Sequence, residues 1–208
     1  MRFGAINNSE YLDRLIESTS TENGVFGAKV HWNQTNFMQE KLVASLRGDI
    51  PSAPSEPLEF FLRTKLQSPR YIWLRRKNKV AQAISYYRAS RTGVWRSVKG
   101  RKDQSSSLDL SLPFNIAAID YYVKLCSQMD FEWNHYFRSN RLPVLMIFYE
   151  DLVANYQLVV RGVLKFLELS INISIPEKKL NRQSDCRSLE WERRYLEALP
   201  KKLCGILK

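Results

Sequence analysis

The run Arg70-Tyr71-Ile72-Trp73-Leu74-Arg75-Arg76-Lys77-Asn78-Lys79-Val80-Ala81-Gln82-Ala83-Ile84-Ser85-Tyr86-Tyr87-Arg88-Ala89-Ser90-Arg91 changes its hydrophobic period halfway along. Tyr71 to Leu74 is aromatic and β-branched and reads as a short buried strand. From Lys79 to Arg91 the spacing of Val80, Ile84, Tyr87 and Arg91 puts one stripe on a helix, with Asn78 as its N-cap. Between the two, Arg75, Arg76, Lys77 and Lys79 crowd the helix's N-terminal end. That end already carries positive partial charge and unpaired N–H groups, so cations there are unfavourable by themselves. The cluster makes physical sense if an anion such as phosphate sits on the terminus, with the Ser85 hydroxyl as a further donor. The alternative is a solvated basic turn; the strand-to-helix context favours the anion.

Working outward, Ser9 suits the cap of a first helix with Tyr11, Leu12, Leu15 and Ile16 on its apolar face. Asn23-Gly24 turns the chain into an expected strand, Val25 to Trp32. Helices follow over about Asn36 to Leu46 and Leu58 to Leu66, with a Pro/Ser-rich connector from Pro51 to Pro57 between them. Beyond the opening stretch come a long helix from Phe114 or Asn115 to about Asn140, a strand Val144 to Tyr149, and a helix near Leu152 to Leu169. A last helix spans about Leu189 to Leu199. Three strands separated by helices long enough to serve as crossovers predict an α/β fold, a parallel sheet flanked by helices on both faces. The 208 residues suffice for a single domain over 1–208. Ser97 to Ser111, polar, serine-rich and basic, reads as a mobile loop.

The net charge is +11. Ten Lys or Arg and no Asp or Glu lie between Arg75 and Lys102, and subtracting those ten leaves +1 for the rest. A positive field so focused suits a polyanionic partner: nucleotide, nucleic acid or anionic membrane surface. Cys126, Cys186 and Cys204 are scattered, with no CxxC and no nearby His, which argues against a zinc site or a disulfide framework. No signal peptide or membrane span is legible, and the longest apolar run, Leu142 to Tyr149, is strand-sized and contains Pro143. A soluble, cytoplasmic protein is expected. No GxxxxGK[ST] or GxGxxG can be written anywhere.

The segment Leu74-Arg75-Arg76 followed by Val80 and Gln82-Ala83-Ile84-Ser85-Tyr86 resembles the 3′-phosphate-binding segment of sulfotransferases that use 3′-phosphoadenosine-5′-phosphosulfate, in particular the bacterial trehalose 2-sulfotransferase family. Three further segments agree, in the family's order. They are Val25-Phe26-Gly27-Ala28-Lys29-Val30-His31-Trp32-Asn33-Gln34, Phe148-Tyr149-Glu150-Asp151-Leu152, and Arg182-Gln183-Ser184-Asp185 with Glu190-Trp191. The resemblance covers about Tyr11 to Tyr195. It implies a P-loop NTPase-like sulfotransferase fold, the phosphosulfate nucleotide as co-substrate with no metal, and a sugar hydroxyl as acceptor. It also implies a 3′-phosphate held by Arg75, Arg76 and Ser85, with Arg182 and Gln183 folding over the nucleotide. Family members begin with a strand and an Arg-x-Gly-Ser-Thr-type loop for the 5′-phosphosulfate, followed by a glutamate base. This sequence shows neither, so an absent N-terminal strand is expected, and with it a truncated chain or a non-catalytic nucleotide- or sugar-binding remnant.

In open parallel sheets, ligands bind beyond the carboxyl ends of the strands. That makes Lys29 to Asn33, Arg75 to Lys79 and Tyr149 to Asp151 the candidates. Sulfuryl transfer needs a base for the acceptor hydroxyl and cations for the charge on the sulfuryl group and leaving phosphate. His31 and Lys29 are the residues of that chemistry, although they also suit ordinary packing at a core edge. Trp32 and Trp95 are either stacking surfaces for a sugar or adenine, or packing residues. Glu150 or Asp151 reads as structural, meeting orphan N–H groups at a helix N-terminus. A basic nucleic-acid-binding module with Tyr86, Tyr87 and Trp95 interleaved is the disfavoured alternative. A homodimer is compatible with the sequence.

Overall fold

A computed structural model describes residues 8–46, 57–66, 69–95, 109, 111–177 and 185–206. The chain divides into two compact units, one from Met1–Tyr71 with Glu132–Pro143 and the other from Ile72–Phe131 with Val144–Lys208.

The first unit holds helices α1 (Asn8–Thr19), α2 (Trp32–Leu46) and α3 (Pro57–Leu66), with the C-terminal turns of α5 (Ile116–Ser139). Its centre is aromatic. Trp32 meets Trp133 edge-on with ring centroids 4.9 Å apart, Trp133 stacks on Phe137 at 5.4 Å, and Tyr71 meets Phe137 edge-on. Leu58, Tyr136 and Phe137 are buried there. Glu59 is buried with them and takes hydrogen bonds from the Tyr71 and Tyr136 hydroxyls and from Arg63 Nε, each 2.7 Å long. Three donors converging on one carboxylate meet its hydrogen-bonding demand in a site that water barely reaches.

The strand expected from Val25 to Trp32 does not form: residues 25–31 are irregular, and α2 begins at Trp32 instead of near Asn36. Gln34 explains the helix start. Its side-chain oxygen accepts the His31 backbone N–H at 2.8 Å, and its own N–H returns to the His31 carbonyl, which is the helix-side half of a capping box. Upstream, Thr21 N–H bonds to the Val25 carbonyl and the Thr21 hydroxyl takes the Val25 N–H, closing a local loop instead of a ladder.

The second unit carries the sheet. β1 (Tyr71–Arg75, whose first residue belongs to the first unit) pairs with β2 (Val144–Phe148) in a small parallel sheet, so two strands stand among the described residues where three are expected. α4 (Lys79–Thr92) follows β1 and packs on α8 (Cys186–Ile206). Ala83, Ile84 and Tyr87 of α4, Ile119 of α5, and Trp191 and Tyr195 of α8 form the buried core. Asn78 caps α4 by accepting the Ala81 N–H at 2.9 Å, and Gly93 ends it at φ 74°, a left-handed position that glycine fills without strain. Asn115 caps α5 by accepting from Ala118 N–H, and Asp185 caps α8 by accepting from Ser188 N–H.

The helix expected near Leu152 to Leu169 is two: α6 (Tyr149–Ala154) and α7 (Tyr156–Phe166), parted at Asn155, whose φ −129° and ψ 51° leave the helical region. The expected mobile loop Ser97 to Ser111 lies almost wholly outside the described residues. Among the described residues no helix is long and apolar enough to cross a membrane.

Candidate functional site

The parallel pair puts the loop Arg76–Asn78 at the carboxyl end of β1, directly ahead of α4, as the sequence leads one to expect. Its charges are arranged in a way the sequence does not disclose. Arg75 turns back along the sheet and gives both Nε and Nη2 to Asp130 Oδ2 of α5, each at 3.0 Å, with its guanidinium 4.2 Å from the centre of the Trp73 ring. Lys79, on the first turn of α4, reaches the same oxygen at 2.6 Å. Lys77 pairs with Asp151 at 2.6 Å. Asn78, while capping α4, donates its side-chain amide to Glu192 of α8.

Glu150 serves the start of α4. Its carboxylate accepts the Lys77 backbone N–H at 3.0 Å and the Asn78 N–H at 3.4 Å. The acid expected to meet orphan N–H groups thus does so for the loop before α4, a different helix from its own α6. Burial alone would raise the Glu150 carboxyl, but the backbone N–H donors and the Arg76 charge outweigh it and hold it below its ordinary value.

Arg76 differs from its neighbours. Its guanidinium lies 4.4 Å from the Tyr149 ring centre and its Nε stays 3.8 Å from Glu150, too far for a hydrogen bond. Among the described residues, Arg76 Nε is the buried side-chain nitrogen or oxygen that has no hydrogen-bond partner. A cation with an unused donor, beside a loop whose other polar side chains are engaged, is suited to receive an oxyanion.

Farther along α4, Arg88 is fixed by carboxylates from both flanking segments: Asp109, and Asp185 at 2.8 Å. Arg187 adds bonds to the carbonyls of Asp109 and Leu112. The hydrogen bond to Arg88 is the chief reason that the Asp185 carboxyl sits far below the usual range. Ser85 is half-buried in the second turn of α4. Tyr87 is buried with its ring facing Trp191, and Tyr86 packs between Trp95 and Tyr122. Trp95, 59% exposed, keeps a free face at the surface.

Lys29, His31 and Trp32 belong to the first unit. His31 and Lys29 are exposed at the entry to α2, while Trp32 is half-buried by its contact with Trp133. Partial desolvation and the neighbouring Lys29 ammonium hold the His31 imidazole below its ordinary value, which keeps it neutral at neutral pH. Arg182 and Gln183 lie outside the described residues. Among the described residues no group of His, Cys, Asp and Glu is placed to hold a metal ion.

A family model of the Stf0 sulphotransferases matches residues 5–198. The chain belongs to the Stf0 sulphotransferase family. Two curated relatives are trehalose 2-sulfotransferases. That of Mycobacterium tuberculosis is 28% identical over 190 residues, covering 91% of this chain and 67% of the relative. That of Mycolicibacterium smegmatis is 31% identical over 176 residues, covering 84% of this chain and 62% of the relative. The chain therefore spans about two thirds of the length of the relatives it matches. Within the Stf0 match fall the β1–α4 loop, Glu150, His31 and the segment with Arg182 and Gln183. The carboxylates that engage Arg75, Lys77 and Lys79 are what the sequence reading missed. Asp130 is an ordinary polar position on a long helix, and nothing in the sequence around it marks it as the partner of Arg75 and Lys79.

Proposed function

We propose that this chain binds the nucleotide of a carbohydrate sulfotransferase reaction, in which a sulfuryl group passes from 3′-phosphoadenosine-5′-phosphosulfate to a hydroxyl of a trehalose-like sugar. Family membership and two relatives named for trehalose support the reaction class and the acceptor. The observation that carries the nucleotide site is Arg76: a guanidinium at the carboxyl end of β1 with a buried, unbonded Nε.

In this reading the donor's 3′-phosphate rests on Arg76, with Arg75 behind it and the Ser85 hydroxyl and the Arg182–Gln183 segment completing the cradle. The Arg76 side chain is still 23% exposed, so a phosphate dianion here meets a guanidinium that can add charge-assisted bonds. His31, neutral and accessible, is the proposed acceptor of the sugar hydroxyl's proton, and Lys29 the cation for charge on the transferring sulfuryl group. Trp32 in the first unit and Trp95 in the second are each proposed, separately, as an apolar surface for a sugar or adenine. The chemistry needs no metal, and a cytoplasmic setting suits the phosphosulfate donor.

The test is calorimetric titration with adenosine 3′,5′-bisphosphate and, in parallel, adenosine 5′-monophosphate at near-physiological salt. Preference for the bisphosphate, lost in Arg76→Ala, is the expected result. Equal affinity for the two, or affinity that merely tracks ionic strength, would sink the site and favour a nonspecific polyanion surface.

A further inference from the structure

Arg75 closes β1 and Lys79 opens α4, so these two residues mark the ends of the short loop Arg76-Lys77-Asn78. Both converge on a single atom, Asp130 Oδ2, at 3.0 Å from Arg75 and 2.6 Å from Lys79. The Asp130 side chain is only 13% exposed, and those of Arg75 and Lys79 are 28% and 23% exposed, so the cluster is largely withdrawn from water. In such a place two cations on one carboxylate are held strongly, and without it they would repel each other across a few ångströms. The Arg75 fork is further fixed over the Trp73 ring, itself buried, which sets the plane of the guanidinium as well as its distance. The loop's middle is tied from the other side by Glu150 on the Lys77 and Asn78 N–H groups and by Asp151 on Lys77. Only Arg76, between these ties, keeps a buried donor unused among the described residues.

We propose that Asp130 is a positioning residue for anion recognition: by holding Arg75 and Lys79 on one carboxylate oxygen it fixes both ends of the loop, which then presents Arg76 to the ligand's phosphate. Asp130 itself touches no ligand. The assignment rests on the phosphate reading above and divides the work within it. Arg76 is the direct contact, Arg75 and Lys79 are struts, and Asp130 is the post to which they are tied. A longer carboxylate cannot replace it, because one added methylene moves the shared oxygen relative to both cations.

The decisive variants are Asp130→Asn and Asp130→Glu, titrated with adenosine 3′,5′-bisphosphate and adenosine 5′-monophosphate beside the wild type, with thermal melts in parallel. Removing an acid makes the protein more positive, so bulk electrostatics alone would tighten both nucleotides. Positioning gives the opposite outcome: Asp130→Asn loses tenfold or more of the preference for the bisphosphate. Asp130→Glu, its charge intact, loses preference several-fold in protein that melts as a folded species. A purely structural Asp130 would lower the melting temperature and leave the preference of the folded protein untouched, which would overturn the proposal. So would tighter bisphosphate binding in Asp130→Asn. Should Asp130→Asn fail to fold, Asp130→Glu is decisive alone, and wild-type preference in it overturns the assignment. Absence of preference in the wild type would show in a separate arm and would remove the phosphate site itself.

Discussion

Glu150 sets its carboxylate on the backbone N–H groups of Lys77 and Asn78, at 3.0 Å and 3.4 Å, and so acts as counter-charge for a helix to which it does not belong. No acidic residue occupies the first turn of α4, where cations from Lys77 and Lys79 gather. Glu150 offsets that deficit from across the sheet, and at 3.8 Å it also neutralises part of the Arg76 charge. Two opposite effects are expected of Glu150→Gln. Stability falls by about 1–2 kcal/mol as charge-assisted bonds become neutral ones, readable by urea denaturation. Affinity for adenosine 3′,5′-bisphosphate rises several-fold, because Arg76 no longer shares its charge. A variant that lost both stability and affinity would place Glu150 in the ligand's direct support instead.

The same carboxylate gives a pH dependence with a definite sign. Glu150 is held below its ordinary value of 4.5 in the folded chain. A depressed carboxyl contributes stability above the unfolded value, and that contribution is lost as pH falls through the folded one. Melting temperature should therefore fall below about pH 4.5, and wild type and Glu150→Gln should converge there, being furthest apart near pH 7. Asp185, also depressed, steepens the acid limb of both proteins alike and cancels in the difference. A gap independent of pH between 3 and 7 would contradict the ion-based account.

Glu59 predicts the largest loss of stability in the first unit. It is 4% exposed and is the common acceptor for Tyr71, Tyr136 and Arg63. Glu59→Ala strands the Tyr71 and Tyr136 hydroxyls beside a cavity, a cost of about 2–5 kcal/mol, while the exposed Arg63 turns to solvent. Tyr136→Phe removes one donor and leaves the others served, so about 1 kcal/mol is expected. Denaturant midpoints measure both, and similar losses for the two would show that the network is not centred on Glu59.

What could be read in the sequence was local. α4 announces itself by Asn78 at its start and by its apolar stripe, and the strand β1 by an aromatic, β-branched run that needs no distant information. The Val25–Trp32 segment looks equally strand-like, yet a strand exists only with a neighbour to take its N–H and carbonyl groups. Here Thr21 and Gln34 take them first. Asn155 breaks what periodicity alone presents as one helix. The site divides the same way. The basic loop was legible as a cluster, whereas its ties are separated by 55 residues for Asp130, 73 for Glu150 and 114 for Glu192. Counting cations along the chain overstates how many can face a ligand. After the carboxylates are assigned, Arg76 keeps the unbonded buried donor and Arg75 has become a strut.

Cys126 is expected to be chemically silent. It is 2% exposed within α5, and burial is the main cause that pushes its thiol up to about 11. The thiolate is the reactive form, so at neutral pH too little is present and too little is reachable. A Cys186→Ser/Cys204→Ser protein should resist a disulfide-exchange reagent when native and take up one equivalent in denaturant. Rapid native labelling would mean that α5 opens locally.

Asn78 separates capping from charge. Its side-chain oxygen accepts the Ala81 N–H while its amide nitrogen donates to Glu192. Asn78→Ala removes both bonds and should cost about 1–2 kcal/mol, the usual loss for a cap. At an isolated helix Asn78→Asp would be neutral or stabilising, since a carboxylate caps as well and favours the dipole. Here it faces Glu192, and Lys77 already carries Asp151, so a new carboxylate meets repulsion in place of an amide donor. Asn78→Asp should therefore be less stable than wild type at pH 7. The deficit should shrink in Asn78→Asp/Glu192→Gln, where the amide again supplies a donor to the pair. A stabilising single variant would show that α4 and α8 are not joined through this bond.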